Sequence, residues 1–405
     1  MSATERIWAA GWSGYVLAAA IVIACGAALA LVTPLTPENG GLGYDGALYA
    51  QMVQDLRGAA RVPVTSLQAY RIAPSALVAA SPLDVITGFR IIDAAAVLAA
   101  GVLLFAILRR YDTPRWLALL AVLWWALLPM QLQFWIRDPV LVEAPAFALL
   151  LGLVLAALHG RFAVFAALLP VAVLTRENLL IAVPFLFLQN RGLGARRALI
   201  LTALASVPGV IALQAVRAYP PVPTYPIVRL PEAAVLGLFS VLLNLDDDAW
   251  RYLAAIVGTF GVLWALPFAT SRAAGDFVRR EAGWAYLIVA ALIVAILGGR
   301  EHDRYLVPLT VPLVVLTFAV GHRCGVWRSW RRAAALTGLQ LVALRLLAPL
   351  GSPDAPFGTT ALSIGDLVIV ALFGVVAGAA AIAVASGANP LAAQRGPARR
   401  AEPAR

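Results

Sequence analysis

Residues 8–32 read WAAGWSGYVLAAAIVIACGAALALV, a stretch of 25 positions without a single charged side chain. A helix needs about 20 mostly apolar residues to cross a bilayer. The stretch is too long for the apolar core of a signal peptide, and no small-residue cleavage pattern follows it. We interpret it as a retained first membrane helix that also serves as a signal anchor.

Runs of the same kind recur along the rest of the chain. Of its 405 residues, 62% are hydrophobic and 13% are charged, whereas soluble domains have roughly 25% charged residues. Because the bilayer core holds no water, such runs must be helices that satisfy their own backbone hydrogen bonds. Further spans are predicted near residues 84–108, 116–134, 140–158, 161–174, 178–189, 197–216, 251–270, 284–298, 305–321, 333–349 and 361–386.

These segments predict an all-α fold, a polytopic membrane helix bundle with about 12 transmembrane helices and a range of roughly 10–13. The segments 161–174 and 178–189 are short for a span. For these two, a pair of half-helices that enter the membrane from one side is the alternative.

The net charge of +10 comes from arginine alone, because all 31 basic residues are Arg. With the N-terminus in the cytoplasm, the predicted cytoplasmic segments hold 19 arginines against five acidic residues. This is the positive-inside bias of membrane proteins, and anionic lipid of the inner leaflet accounts for it. We therefore expect a multi-pass protein with both termini in the cytoplasm and with no nucleic-acid partner.

No long linker divides residues 1–386, which are predicted to form a single integral membrane domain. Residues 387–405, rich in Gly, Pro, Ala and Arg, are predicted to be a disordered basic cytoplasmic tail. Two long outer segments are expected, at 33–83 and at 217–250.

Within the first outer segment, residues 46–57 predict a short amphipathic helix. Tyr49, Met52, Val53 and Leu56 fall on one face at helical spacing. Such a helix is expected to lie in the plane of the membrane interface, with its apolar face in the headgroup boundary.

Asp45 is the first candidate for chemistry, because it lies directly before this helix. It can cap the helix by accepting a backbone N–H. It can also act as a general base, or as a metal ligand, that faces an acceptor hydroxyl. The two roles do not exclude each other.

Arg71 and Arg176 can each bind a phosphate as a bidentate donor. For Arg71 the alternative is snorkelling into the lipid headgroups. Arg176 and Glu177 lie between two short apolar runs at membrane depth, where ionisable groups usually pair or serve a site. A salt bridge between helices has equal weight for this pair, and Glu143 is a further candidate because its helix is equally apolar.

Two other clusters of charge have a simpler interpretation. Arg90 and Asp93 lie three positions apart in the second span and are expected to pair locally. Residues 300–305 read REHDRY. One His and two carboxylates in this turn could bind a divalent cation. Adjacent residues of one turn rarely converge on a metal, so phosphate contacts of Arg300 or Arg304 are favoured and no cofactor is predicted with certainty.

The order of these features resembles the GT-C superfamily of integral membrane glycosyltransferases, nearest to bacterial proteins of cell-surface glycopolymer formation. The resemblance is strongest over residues 40–190. The matching motifs are Tyr44-Asp45-Gly46 with Tyr49 in the first loop, Tyr70-Arg71 with Pro74, Thr175-Arg176-Glu177 between two short spans, and Arg304-Tyr305-Leu306 with Pro308 late in the chain.

The resemblance implies transfer of a sugar from a polyprenyl-phosphate donor to a glycan, lipid or protein acceptor of the cell envelope. The reaction would take place at the outer face of the bacterial inner (plasma) membrane, among membrane lipid. Many members have paired acids in the first loop, whereas Gly46 follows Asp45 here, which makes a metal less expected. The implied residues are Asp45 as general base, with Tyr44, Tyr49, Arg71, Arg176, Glu177, Glu301, His302 and Arg304 for substrate and phosphate binding.

Two other functions stay open. A transporter or flippase of lipid-linked saccharide would use the same intramembrane charges, but it would show inverted repeats, and we find no convincing repeat. A non-catalytic subunit of an envelope assembly complex would tolerate the loss of Asp45 and of the Arg176-Glu177 pair together.

Overall fold

A computed structural model describes residues 3–33, 42–43, 45–58, 70–218, 245–297, 302–347 and 363–386. Outside these residues lie the predicted tail at 387–405, the parts 34–41, 59–69 and 219–244 of the two outer segments, and the candidate residues Tyr44, Arg300 and Glu301. Throughout the described ranges the chain forms helices and turns and no strand, which confirms the all-α class.

Within each described range the helices follow one another through short turns, and most of them correspond to a predicted span. In chain order they are α1 (Ala3–Val32), α2 (Gly46–Leu56), α3 (Ile72–Ala79), α4 (Val85–Arg110), α5 (Arg115–Ala126), α6 (Phe134–Arg137), α7 (Glu143–Leu158), α8 (Phe162–Thr175), α9 (Ala182–Asn190), α10 (Ala195–Ala218), α11 (Leu245–Phe260), α12 (Leu266–Ala269), α13 (Ser271–Arg280), α14 (Ala282–Leu297), α15 (His302–Tyr305), α16 (Val307–Arg323), α17 (Trp330–Leu347) and α18 (Ile364–Ser386).

Four helices of the described part are long and apolar enough to cross a membrane, namely α1, α4, α10 and α18, and α5 together with the bent segment Pro129–Arg137, which ends in α6, would make a fifth. Shorter apolar helices of 10–17 residues are α7, α8, α14 and α16. Large apolar side chains cover the outward faces, such as Leu204 at 62% exposure and Val376 at 67%. Exposed apolar surface on this scale is unfavourable in water, and these helices indicate a membrane protein.

The predicted span at 116–134 is interrupted. Helix α5 ends at Ala126, and the chain bends by 48° at the break before the segment Pro129–Arg137. This segment starts with a π-helical turn over Pro129–Gln133 and continues as α6. Pro129 has no backbone N–H to continue a helix. The turn is held by Gln131, which accepts a hydrogen bond from Trp125 Nε1 at 3.0 Å and donates from Nε2 to Thr310 Oγ1 at 3.4 Å.

The predicted span at 251–270 is interrupted as well. Helix α11 ends at Phe260 because Gly261 adopts a φ of +58°, a left-handed conformation that favours glycine. The side chain of Gln340 then accepts the backbone N–H of Val262 at 2.7 Å and donates to the Phe260 carbonyl at 3.2 Å. This buried amide takes the place of the lost helical partners.

Helix α2 forms where it is predicted, but its apolar face does not point to the headgroups. Tyr49, Met52 and Val53 are at most 6% exposed, because the helix packs on α3 and α4. Arg57 fixes its end by donating to four backbone carbonyls between Val78 and Leu83. The prediction of an apolar face in the headgroup boundary is therefore corrected: most of that face belongs to the protein core, and this brings the start of α2 against the start of α3.

Small residues set the close approach of α18 to α11. A Cβ atom added at Gly374 would lie 1.6 Å from Val257 Cγ1. We expect Gly374→Ala to lower the free energy of unfolding by about 1–3 kcal/mol, because overpacking forces the two helices apart. Chemical unfolding in detergent micelles measures this loss.

The matched control is Gly338→Ala in α17, where an added Cβ would have no neighbour within 4 Å. Its effect is expected to be neutral or stabilising by up to about 1 kcal/mol, since alanine is the better helix former. Equal losses in the two variants would contradict the packing argument.

Candidate functional site

Charged side chains from distant parts of the chain meet in one place. Asp45 precedes α2, Arg71 precedes α3, Glu143 begins α7, and Arg304 lies in α15. The fifth contribution is the turn between α8 and α9. We call the group the charged cluster, and its members are Asp45, Arg71, Glu143, Arg176, Glu177 and Arg304.

Glu143 lies at the buried centre of the charged cluster. Its side chain is 1% exposed and lies between two guanidinium groups. Arg304 donates to Glu143 Oε1 from Nε at 3.0 Å and from Nη2 as well, and Arg176 Nη1 is 3.3 Å from the same oxygen. The backbone N–H of Val142 donates to Oε2 at 3.1 Å. A buried charge is tolerated only when it is paired and hydrogen-bonded, and Glu143 meets this condition while it fixes two arginines.

Arg71 and Glu177 form a second, bidentate pair. Arg71 Nε donates to Glu177 Oε2 at 3.0 Å and Nη2 donates to Oε1 at 2.8 Å. A third hydrogen bond runs from Arg71 Nη1 to the Tyr49 hydroxyl at 3.3 Å. The Arg71 side chain is only 7% exposed. The snorkelling alternative for Arg71 is therefore wrong, and the alternative of a salt bridge describes Glu177 correctly, with Arg71 as its partner.

Asp45 stands between the two pairs. Its carboxylate makes no capping hydrogen bond, and its backbone carbonyl accepts the N–H groups of Leu48 and Tyr49 at 3.0 and 3.1 Å. The carboxylate oxygen Oδ2 instead lies 3.3 Å from Arg304 Nη2 and 4.0 Å from Arg71 Nη1. With 23% of its side chain exposed, Asp45 is accessible at the rim of the charged cluster, whereas Glu143 is not.

Arg176 has unused donors. Its side chain is 6% exposed, and its guanidinium lies 5.2 Å from the centre of the Tyr305 ring. Nε and Nη2 of Arg176, together with Oδ1 of Asn178, are buried without a hydrogen-bond partner. These residues line a cavity of about 20 Å³ next to Glu143 and Arg304. Buried polar groups without partners are rare, and this cavity has room for one water molecule.

The structure brings six of the residues predicted for the site together: Asp45, Tyr49, Arg71, Arg176, Glu177 and Arg304. Tyr44 and Glu301 lie outside the described residues, and so does the side chain of His302, which begins α15. In the described ranges, no group of three or more His, Cys, Asp or Glu side chains is placed to hold a metal ion.

The structure also places two charged positions that the sequence singled out separately, Glu143 and the Arg90–Asp93 pair. Glu143 was a candidate on the cost of its burial alone, and the structure makes it the most connected acid of the charged cluster. The local pair of Arg90 with Asp93 is not formed: Arg90 is exposed, while Asp93 is buried and its Oδ1 has no hydrogen-bond partner.

The fold and the charged cluster thus define a helical membrane protein with paired charges buried between its helices. Comparisons of the chain with protein-family models, with curated proteins and with solved structures find no match. The likeness to membrane glycosyltransferases therefore stays a prediction from the quoted motifs.

The Arg71–Glu177 pair predicts a pH dependence. Burial by itself would raise the pKa of Glu177, but the Arg71 guanidinium outweighs burial and holds this pKa below its ordinary value. A group whose pKa is lower in the folded state contributes stability above its unfolded pKa, roughly 4.3 for Glu, and loses it as the pH falls through the folded pKa. We expect the melting temperature to fall on acidification below roughly pH 4.3, and Glu177→Gln to flatten that part of the curve.

Thermal unfolding of both proteins in detergent between pH 7 and pH 3 checks this. Asp276→Asn is the control, since its ion pair with Arg279 is on the surface, with side chains 53% and 78% exposed. Exposed pairs contribute little, so this variant should keep the wild-type profile. A Glu177→Gln profile that also matches the wild type would refute the coupling to Arg71.

Proposed function

We propose that the protein is a membrane glycosyltransferase of GT-C-like architecture, with about 12 spans, in the bacterial inner membrane. It would transfer a sugar from a polyprenyl-phosphate donor to a cell-envelope acceptor on the outer face. The observation that carries the proposal is the position of Asp45: its carboxylate is partly exposed, it is not used as a helix cap, and it is flanked by Arg71 and Arg304.

In the proposed reaction, Asp45 takes the proton of the acceptor hydroxyl while the hydroxyl oxygen bonds to the anomeric carbon of the sugar. The bond between that carbon and the phosphate oxygen breaks, and polyprenyl phosphate leaves with the electron pair. Arg71 and Arg304 offset the charge that develops on the phosphate. The phosphate competes with Asp45 for these two guanidinium groups, which weakens their hold on the carboxylate and leaves it able to take the proton.

The remaining residues have supporting roles. Glu143 orients Arg304, and Glu177 with the Tyr49 hydroxyl orients Arg71, so that both guanidinium groups face Asp45. Arg176 supports Glu143, and its unpartnered donors would reach the substrate only through the one water molecule for which their cavity has room. Tyr44, Glu301 and His302 are proposed for substrate contacts on the resemblance alone.

The experiment is a transfer assay with the purified protein in vesicles. A panel of polyprenyl-phosphate sugars is supplied with an extract of cell-envelope acceptors, and the release of polyprenyl phosphate is followed together with labelled sugar in the acceptor. Acceptor-dependent release supports the enzyme. Movement of the intact labelled lipid across the vesicle membrane would indicate the flippase. The absence of both activities would make the scaffold subunit the better interpretation.

A further inference from the structure

A groove of about 670 Å³ runs along the surface between α1, α4 and the segment of α6. None of its lining residues belongs to the charged cluster. Its walls are mostly apolar, and Ile23 of α1, which lines it, is 58% exposed. The groove is therefore open on the side where α1 presents its apolar surface.

One end of the groove carries buried polar atoms without partners. Thr33 Oγ1, Asp93 Oδ1 and Trp135 Nε1 all line the groove and make no hydrogen bond. Their residues are 9%, 6% and 3% exposed. Arg90 lies one turn before Asp93 and is exposed at the same end. Leaving buried polar groups unpaired costs free energy, so this arrangement points to a ligand that supplies both donors and acceptors.

The rest of the groove has the dimensions of one hydrocarbon chain. Along α1 it extends from Val22 to Thr33, which is about 16 Å at 1.5 Å per residue. That length is roughly half of the 30 Å hydrocarbon core, the share of one leaflet. Gly26, Ala27 and Ala30 form the wall on α1, and small side chains leave room for an alkyl chain to lie against the helix.

We propose that this groove binds one phospholipid whose headgroup carries a primary ammonium, of the phosphatidylethanolamine class. The ammonium donates to Asp93, the phosphate pairs with Arg90, and the ester or phosphate oxygens accept from Trp135 Nε1 and the Thr33 hydroxyl. One acyl chain fills the apolar part. A polyprenyl phosphate fits less well, because it would bring an anion without a donor to the Asp93 carboxyl. The inference stands whether or not the protein transfers sugars.

Native mass spectrometry of the full-length protein from mixed micelles tests the proposal. Phosphatidylethanolamine is compared with phosphatidylcholine of the same chains, whose quaternary ammonium has no N–H, with phosphatidylglycerol, and with polyprenyl phosphate. A hydrogen bond to a charged group predicts that phosphatidylethanolamine is retained about tenfold more strongly than phosphatidylcholine. Equal retention of these two lipids, or stronger retention of polyprenyl phosphate, would overturn the proposal.

Three variants locate the binding. Asp93→Asn should remove the preference for the primary ammonium. Ala30→Phe fills the groove from an exposed position and should abolish retention without altering any polar group. Ala203→Phe makes the same change on the exposed face of α10, and it should leave retention as in the wild type. If Asp93→Asn does not fold, the comparison of Ala30→Phe with Ala203→Phe still tests the location of the lipid. Equal retention by these two variants would show that the lipid binds outside the groove.

Discussion

Asp45→Asn is expected to lower sugar transfer by about 10²- to 10⁴-fold, the usual contribution of a general base, while the protein stays folded. The amide has the size of the carboxylate, but it cannot take up a proton at neutral pH. Since the Asp45 side chain makes no capping hydrogen bond, its replacement should not shorten α2. Transfer rates and the unfolding transition of the same preparation give both quantities.

Asp84 provides the matched control, because it is a true helix cap. Asp84 directly precedes α4, and its Oδ1 accepts a hydrogen bond from the backbone N–H of Thr87 at 3.0 Å. Asp84→Ala should therefore lower stability, as the loss of an N-cap does, and should leave the rate of transfer unchanged. The opposite behaviour of the two aspartates separates catalysis from capping. Full activity of Asp45→Asn would exclude Asp45 as the base, and unfolding of that variant would assign Asp45 a structural role.

The helical class could be predicted because it depends on composition alone. A run of about 20 apolar residues is a helix in a bilayer whatever lies beside it, and α4 and α10 begin within two residues of their predicted starts. The breaks at Pro129 and Gly261 could not be placed with the same rule. The break at Gly261 depends on the distant Gln340, whose side chain replaces lost backbone partners. The turn at Pro129 depends on side-chain hydrogen bonds of Gln131, one of them to the distant Thr310.

The candidate site was predictable in its members and unpredictable in its pairing. The cost of charge in an apolar environment singled out Glu143, Arg176 and Glu177 from the sequence, and Arg71 was a candidate as a bidentate phosphate donor. Adjacency suggested that Arg176 and Glu177 act together, yet Glu177 binds Arg71, 106 positions away, and Arg176 binds Glu143. Such partners follow from the packing of α2, α3, α7 and α8, which no local pattern encodes.

The largest effect on stability is expected for Glu143→Gln, a loss of about 3–5 kcal/mol in the free energy of unfolding. The amide keeps the shape of the side chain but removes the charge that compensates Arg176 and Arg304. Both guanidinium groups are at most 6% exposed, so neither can turn to water for compensation.

Chemical unfolding in detergent at neutral pH measures the loss, with Glu177→Gln as the comparison. Glu177 is partly exposed and compensates only one guanidinium, that of Arg71, which also keeps Asp45 Oδ2 at 4.0 Å, so the loss in Glu177→Gln should be smaller. The double variant Glu143→Gln with Arg304→Gln should be more stable than the sum of the single losses predicts, by about 0.5–3 kcal/mol, because the second change removes one of the stranded charges. Additive losses, or a loss in Glu143→Gln no larger than in Glu177→Gln, would show that Glu143 does not hold the two arginines in place. The approach of Arg304 to Asp45 would then need another cause.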